Sequence, residues 1–303
     1  MHSIPKNGWA LVALAVAACG TEDAGGRGAL SLTISGEEAA EVGFPVPGVE
    51  ELAFADGWSV RFDKYLVGVG RVRVASADGA VAHVDDEVVV VDLTAGEQPI
   101  FRFEDLPARR WDDFGYDVLA PHAGARRVGA VSDEDLQRMV EGGFNYWIEG
   151  EATKGERRVT FRWGIAAPTR NDRCENAADG TDGVVVRNNA TAAYQITLHL
   201  DHLFYDRLGS HDDGARMRFE AIAAVADEDG AIPWEALAAQ RIDDLRDATG
   251  ASLRDEDGEV LRYDPAGIPG ADGSLQAYLR AASRSQGRFN GEGVCRNRAL
   301  DAP

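Results

Sequence analysis

The chain has 303 residues, with 31 Lys+Arg against 51 Asp+Glu, a net charge of −20 and a pI near 4.6. That balance excludes nucleic acid as the main partner and a polybasic membrane patch, because both need clustered Lys and Arg. Apolar residues at 45% and charged residues at 27% describe a globular chain long enough for one large domain or two modest ones.

The first eighteen residues read as a signal peptide. Lys6 precedes the apolar run Trp9 to Val16, which is about half the roughly 20 residues of a membrane span and closes on small residues. Val16-Ala17-Ala18-Cys19 resembles a bacterial lipobox. That resemblance implies lipidation of Cys19 and a protein tethered in the bacterial cell envelope, with Gly20 favouring the outer membrane. Removing Cys19 from the three cysteines leaves Cys174 and Cys295, an even pair in an oxidising compartment. They are expected to form a disulfide, worth ~4 kcal/mol by the chain-entropy argument. No CxxC or Cys-His spacing favours a metal site at either.

Residues 19–28 are small and polar and read as a flexible tether. From 29 to 206 the pattern has period two or short apolar runs, at Leu30–Ile34, Trp58–Phe62, Val67–Val74, Val88–Leu93, Tyr116–Leu119, Phe144–Ile148, Val159–Trp163 and Tyr194–Leu198. Asp78-Gly79 and Asp182-Gly183 supply turns between them. The expectation is a mainly β fold, an antiparallel β-sandwich. One helix interrupts it: Ser132 is the N-cap, with Glu134 and Asp135 in the first turn and Leu136, Met139 and Val140 following.

After residue 206 the period changes. Arg216–Ala226 and Trp234–Thr249 read as helices, so residues 207–303 are expected to form a small helical, loop-rich extension. Between those helices, Asp227, Asp229, Gly230 and Ile232 match positions 3, 5, 6 and 8 of an EF-hand loop. Val225 and Ala236 stand where ligands 1 and 12 belong, with Glu235 one residue early. The segment is therefore a degenerate EF-like helix–loop–helix and a candidate calcium site. Asp255-Glu256-Asp257-Gly258 repeats the pattern, again without a ligand at position 1 (Leu253), and a hairpin turn is the simpler account of it. Residues 201–264 hold 17 Asp+Glu against 7 Arg, half the net negative charge in about a fifth of the chain.

The densest ionisable cluster is His199-Leu200-Asp201-His202-Leu203-Phe204-Tyr205-Asp206, with His211-Asp212-Asp213 close behind. On a continuous strand His199 and His202 would face opposite ways. If the strand stops and a helical turn begins, both imidazoles can converge with Asp201, a donor set suited to zinc or copper. The other arrangement makes His202 a core residue bonded to a carboxylate and leaves His199 on a wet face.

The run Phe62 to Val74, then Val91-Asp92-Leu93, Tyr116 to Pro121, Gly143-Phe-Asn-Tyr-Trp-Ile-Glu-Gly150 and Phe161-Arg-Trp-Gly164 before Cys174 is similar to the MbnP-like periplasmic copper-binding proteins. That likeness covers roughly residues 55–206. It implies a β-sandwich and a copper-handling role beside a dihaem peroxidase; Trp163 stands where the family carries a His. The mature chain as a whole resembles a lipoprotein family of high-GC bacteria such as myxobacteria. The marks are Trp58–Asp63, Tyr146–Gly150, His199–Asp206, Asp227–Glu235 and Gly291–Cys295, and no activity comes with that resemblance.

Nucleophilic catalysis finds no support: there is no Gly-x-Ser-x-Gly, and Gly68 and Gly70 sit in a strand pattern without a third glycine or a following helix. The reading is a non-enzymatic envelope lipoprotein that binds a divalent cation (Ca, Zn or Cu) through His199, Asp201, His202 and Asp206 or through Asp227, Asp229 and Glu235. Its partners are the membrane, through the lipid, and a periplasmic or surface protein. The alternatives are the copper handler and a structural or adhesive surface protein without metal.

Overall fold

The computed structural model describes residues 25–80, 82–177, 179–209 and 214–300. The expected signal peptide, the Cys19 lipidation site, most of the tether and His211-Asp212-Asp213 lie outside the described residues. Strand β1 (Arg27–Ser35) begins inside the expected tether. It is followed by helix α1 (Glu37–Val42), β2 (Ser59–Ala75), β3 (Ala82–Asp92), β4 (Gln98–Pro107), β5 (Arg110–Trp111), β6 (Asp113–Val118) and β7 (Arg126–Val128). Helix α2 (Asp133–Gly142) leads into β8 (Tyr146–Lys154), β9 (Arg157–Ile165), β10 (Thr169–Asp172), β11 (Glu175–Asn176), β12 (Thr181–Asp182), β13 (Val184–Val185) and β14 (Thr191–Leu198). The chain ends with α3 (Glu220–Ala223), β15 (Ala231–Ile232), α4 (Leu275–Ser283), β16 (Gly287–Phe289), β17 (Gly293–Val294) and β18 (Arg296–Ala299).

The fold is mainly β, with strands outweighing helices 44% to 17%. A five-stranded sheet has the order β17-β16-β14-β1-β4, and a nine-stranded sheet runs β15-β9-β8-β2-β6-β10-β18, with β3 paired to β2 and β7 to β3. The sheets are mixed rather than purely antiparallel: β1 pairs with β14, β3 with β7 and β15 with β9 in parallel. Each parallel pair joins segments well separated in sequence, where no tight hairpin enforces antiparallel pairing.

Two expected strands, 58–62 and 67–74, are one 17-residue strand, β2. Gly68 is required within it, since a Cβ there would lie 2.1 Å from the Leu119 carbonyl oxygen. Along β2 and β3 the side chains alternate between two cores: Val67, Val69, Val89 and Val91 join the main one, while Leu66, Val88 and Val90 pack with Leu136, Met139 and Trp147 on the far face. Both faces are covered here, hence the unbroken run Val88–Val91. Helix α2 starts as expected, with Ser132 and Asp135 forming a reciprocal capping box and Gly143 closing it in the left-handed region. The main core takes Leu30, Leu32 and Ile34 from one sheet and Tyr65, Val67 and Ile148 from the other.

The C-terminal third departs from expectation. The helix expected over 216–226 is the single turn α3, and the one expected over 234–249 is a 3-10 helix, Trp234–Ala239, followed by turns. Three Asp-x-x-Gly turns account for the acidic pattern. The Oδ1 of Asp227, Asp247 and Asp255 each accepts the backbone N–H groups two and four residues on. That is turn chemistry written with the letters of a calcium loop. The helix that does form, α4, has Ser274 as N-cap and buries Leu275, Tyr278, Leu279 and Ala282. Nor is 207–303 an appendage. Its strands enter both sheets, β16 beside β14, β18 beside β10 and β15 beside β9, and Cys295 is disulfide-bonded to Cys174. Among the described residues, no helix is long and apolar enough to cross a membrane.

Candidate functional site

Strand β14 ends at Leu198, and a 3-10 turn, Leu200–Leu203, starts directly after His199. This change of period brings His199 and His202 to the same side. Their rings stand edge to face with centroids 5.4 Å apart, and ligand atoms of His199, Asp201 and His202 all lie within 4.8 Å of one another. All three residues are buried. The Ser285 hydroxyl donates to the Ala282 carbonyl, so its lone pair faces His202 Nδ1, 3.1 Å away.

A second group shares His199. Glu37 Oε2 lies 3.7 Å and Glu292 Oε1 3.9 Å from His199 Nε2, and these three also converge within 4.8 Å. Glu37 opens α1 with a φ of 56°, in the left-handed region that non-glycine residues seldom adopt. Glu292 is on the turn joining β16 and β17. The His199 side chain is 8% exposed, and among the described residues its Nε2 has no hydrogen-bond partner. Distances of 3.7 and 3.9 Å are too long for hydrogen bonds yet right for two oxygens converging on something between them.

These residues line an open cavity of about 600 Å³ with Tyr205, Arg288, Val49, Leu52 and Val294. Burial raises the Glu37 carboxyl above its ordinary value; His199 opposes the shift, and the Glu292 and Asp201 carboxylates reinforce it. Tyr205 is raised by burial and by the Asp201 carboxylate, to which it hydrogen-bonds. Burial lowers the Arg288 guanidinium, while Tyr116, Glu292 and Asp201 pull it back. Carboxylates crowded into one partly dry space repel each other, and a cation among them removes the penalty.

The other expected ligands lie apart. Asp206 accepts from the Arg216 backbone N–H and from Arg218 Nε at 2.6 Å, and Arg218 also binds Glu256. Asp227 is committed to its turn, and Glu235 is on the 3-10 helix Trp234–Ala239. None of Asp206, Asp227, Asp229 and Glu235 belongs to a converging donor set among the described residues. Trp163 is fully buried, stacks on Phe161 and donates to the Ile232 carbonyl at 2.9 Å, which is a core role. Sequence reasoning placed Tyr205 in the His199–Asp206 cluster without giving it a role, and missed Glu37, Arg288 and Glu292 as parts of the site; of those three, only Glu292 carried a signal, a carboxylate held between two glycines, Gly291 and Gly293.

Comparison with protein families, with characterised proteins and with solved structures returns no match.

Proposed function

We propose that this protein is a non-enzymatic, lipid-anchored protein of the bacterial cell envelope that binds one divalent transition-metal ion in the cavity at the end of β14. The observation that carries the reading is His199 Nε2, buried and unpartnered between two carboxylates and beside Asp201 and His202. A buried imidazole nitrogen without a partner costs about 1–3 kcal/mol, which a metal bond removes. Two imidazoles with carboxylates favour zinc or copper over calcium, which prefers all-oxygen sites. We read the two sheets as the layers of a β-sandwich whose end carries this cavity. Anchoring through Cys19 would place it at an outer-membrane surface, open to a periplasmic or surface partner.

Elemental analysis of the natively produced protein, with calorimetric titration by Zn²⁺, Cu²⁺ and Ca²⁺, tests the reading. The expected result is one bound ion per chain, zinc or copper far tighter than calcium, and a loss of at least tenfold in H199A. Silence toward zinc and copper, or equal affinity in H199A, sinks it.

A further inference from the structure

A cavity of about 600 Å³ is far larger than an ion requires, since one water occupies about 30 Å³, and it falls within the usual size of small-molecule sites, about 300–1,000 Å³. Two further features of its wall have no use for a bare cation. Arg288 faces the same space as the carboxylates. Its Nη1 donates to the Ser285 and Gly287 carbonyls, which pins the guanidinium against the wall, and no described carboxylate lies within ion-pair distance of it. A fixed positive charge here repels a lone metal ion, yet it anchors a ligand that carries negative charge. Four large apolar side chains are exposed among the described residues, and two of them, Val49 and Val294, line this cavity. With Leu52 they give its mouth an apolar rim above a polar floor.

We propose that the metal-loaded cavity binds a small carboxylate with a short alkyl tail, its carboxylate held between the metal and Arg288 and its tail against Val49, Leu52 and Val294. This rests on the metal reading above, because the ion supplies half of the anion's attraction. The polar floor recognises the head group, and the rim senses the length of the tail. Full burial of one methylene tightens binding about fourfold, so a partly exposed rim yields a smaller but regular gain per carbon.

The test titrates the purified full chain, saturated with Zn²⁺, with acetate, butanoate and hexanoate, and with hexylamine and hexanol as controls of equal tail length. Hexanoate is expected to bind at least tenfold tighter than acetate, with neither control competing and no carboxylate binding in the zinc-free protein. R288Q should lose at least tenfold in hexanoate affinity while binding zinc as tightly as before or more tightly, which also shows that the variant folds. V294D should flatten the dependence on tail length. Zinc binding without carboxylate binding, carboxylate binding independent of zinc, or equal affinity along the series overturns the proposal and leaves the metal reading standing. Failure of zinc itself to bind overturns both.

Discussion

Glu37 is a side chain whose burial opposes stability and which, in the proposed metal site, would serve binding. Its carboxyl is raised above the ordinary value by burial, so its ionised form is the one the fold disfavours, and at neutral pH it destabilises the metal-free protein. E37Q is therefore expected to raise the melting temperature of the metal-free protein and to weaken zinc binding at least tenfold; thermal scans with and without zinc read both. Because a metal competes with the proton on Glu37, whose carboxyl is raised, zinc affinity should rise as pH increases through the range in which that carboxyl ionises, and calorimetry in buffers of different ionisation enthalpy should detect proton release. Glu256 runs the other way. Its bond to Arg218 lowers the carboxyl to about 2. Its contribution is present above pH 4.5, the ordinary value, and is lost as pH falls toward 2. The pair is half exposed on the Glu256 side, so E256Q should cost no more than about 1 kcal/mol at pH 7. In urea titrations that difference should vanish near pH 2.

Among the elements, α2 was readable because its start is local. Ser132 accepts from the Asp135 backbone N–H at 3.1 Å, and Asp135 returns the bond to the Ser132 N–H. Replacing Ser132 with Ala should cost about 1 kcal/mol, measured as a shift in the denaturation midpoint. The 227–230 turn was misread for the same local reason, since an Asp that caps a turn and an Asp that binds calcium share their neighbours, whereas the simpler reading of 255–258 as a hairpin turn agrees with the structure. D227A is expected to leave zinc affinity unchanged, and calcium up to millimolar concentration should not shift the melting temperature of either protein. The strand end at Leu198 is the element on which the site depends. Period-two patterning carries on through His199 and Asp201 in the sequence, and only the 3-10 turn at Leu200–Leu203 turns both imidazoles to one side.

At the scale of the whole molecule, the Cys174–Cys295 bridge spans 121 residues of sequence and ties down the end of the chain beside β17. Arg288, Glu292 and Val294 all lie on the segment just before Cys295 and form one wall of the cavity. The C174S/C295S double variant is expected to lose about 3–5 kcal/mol of stability and to bind zinc more weakly, because Glu292 loses its fixed position. Reduction of the wild-type protein should reproduce both effects. Asp117 plays a comparable role across the nine-stranded sheet: fully buried in β6, it binds Arg73 of β2 and Arg170 of β10. D117A would strand the Arg170 guanidinium, while Arg73 keeps its pairing with Asp172, so in urea denaturation the cost should stay below the about 3–5 kcal/mol of a fully buried pair.

Much was legible in the sequence alone. The mainly β character, seven strand cores, the α2 cap and the pairing of Cys174 with Cys295 each follow from local periodicity, cap chemistry or cysteine arithmetic, while the convergence of His199, Asp201 and His202 stood as one of two arrangements until the 3-10 turn decided it. What only the tertiary structure decided is which distant segments meet. Glu37, 162 residues before His199 in the numbering, and Glu292 near the far end reach the same imidazole, and β1 finds β14 in parallel across most of the chain. The acidic charge of the C-terminal third also divided there, into carboxylates that cap turns or bind arginines and the few that face the cavity. Sequence patterns report what a residue does with its near neighbours. A donor cluster assembled from three separated segments is set by how the sheets pack, and packing is a property of the whole chain.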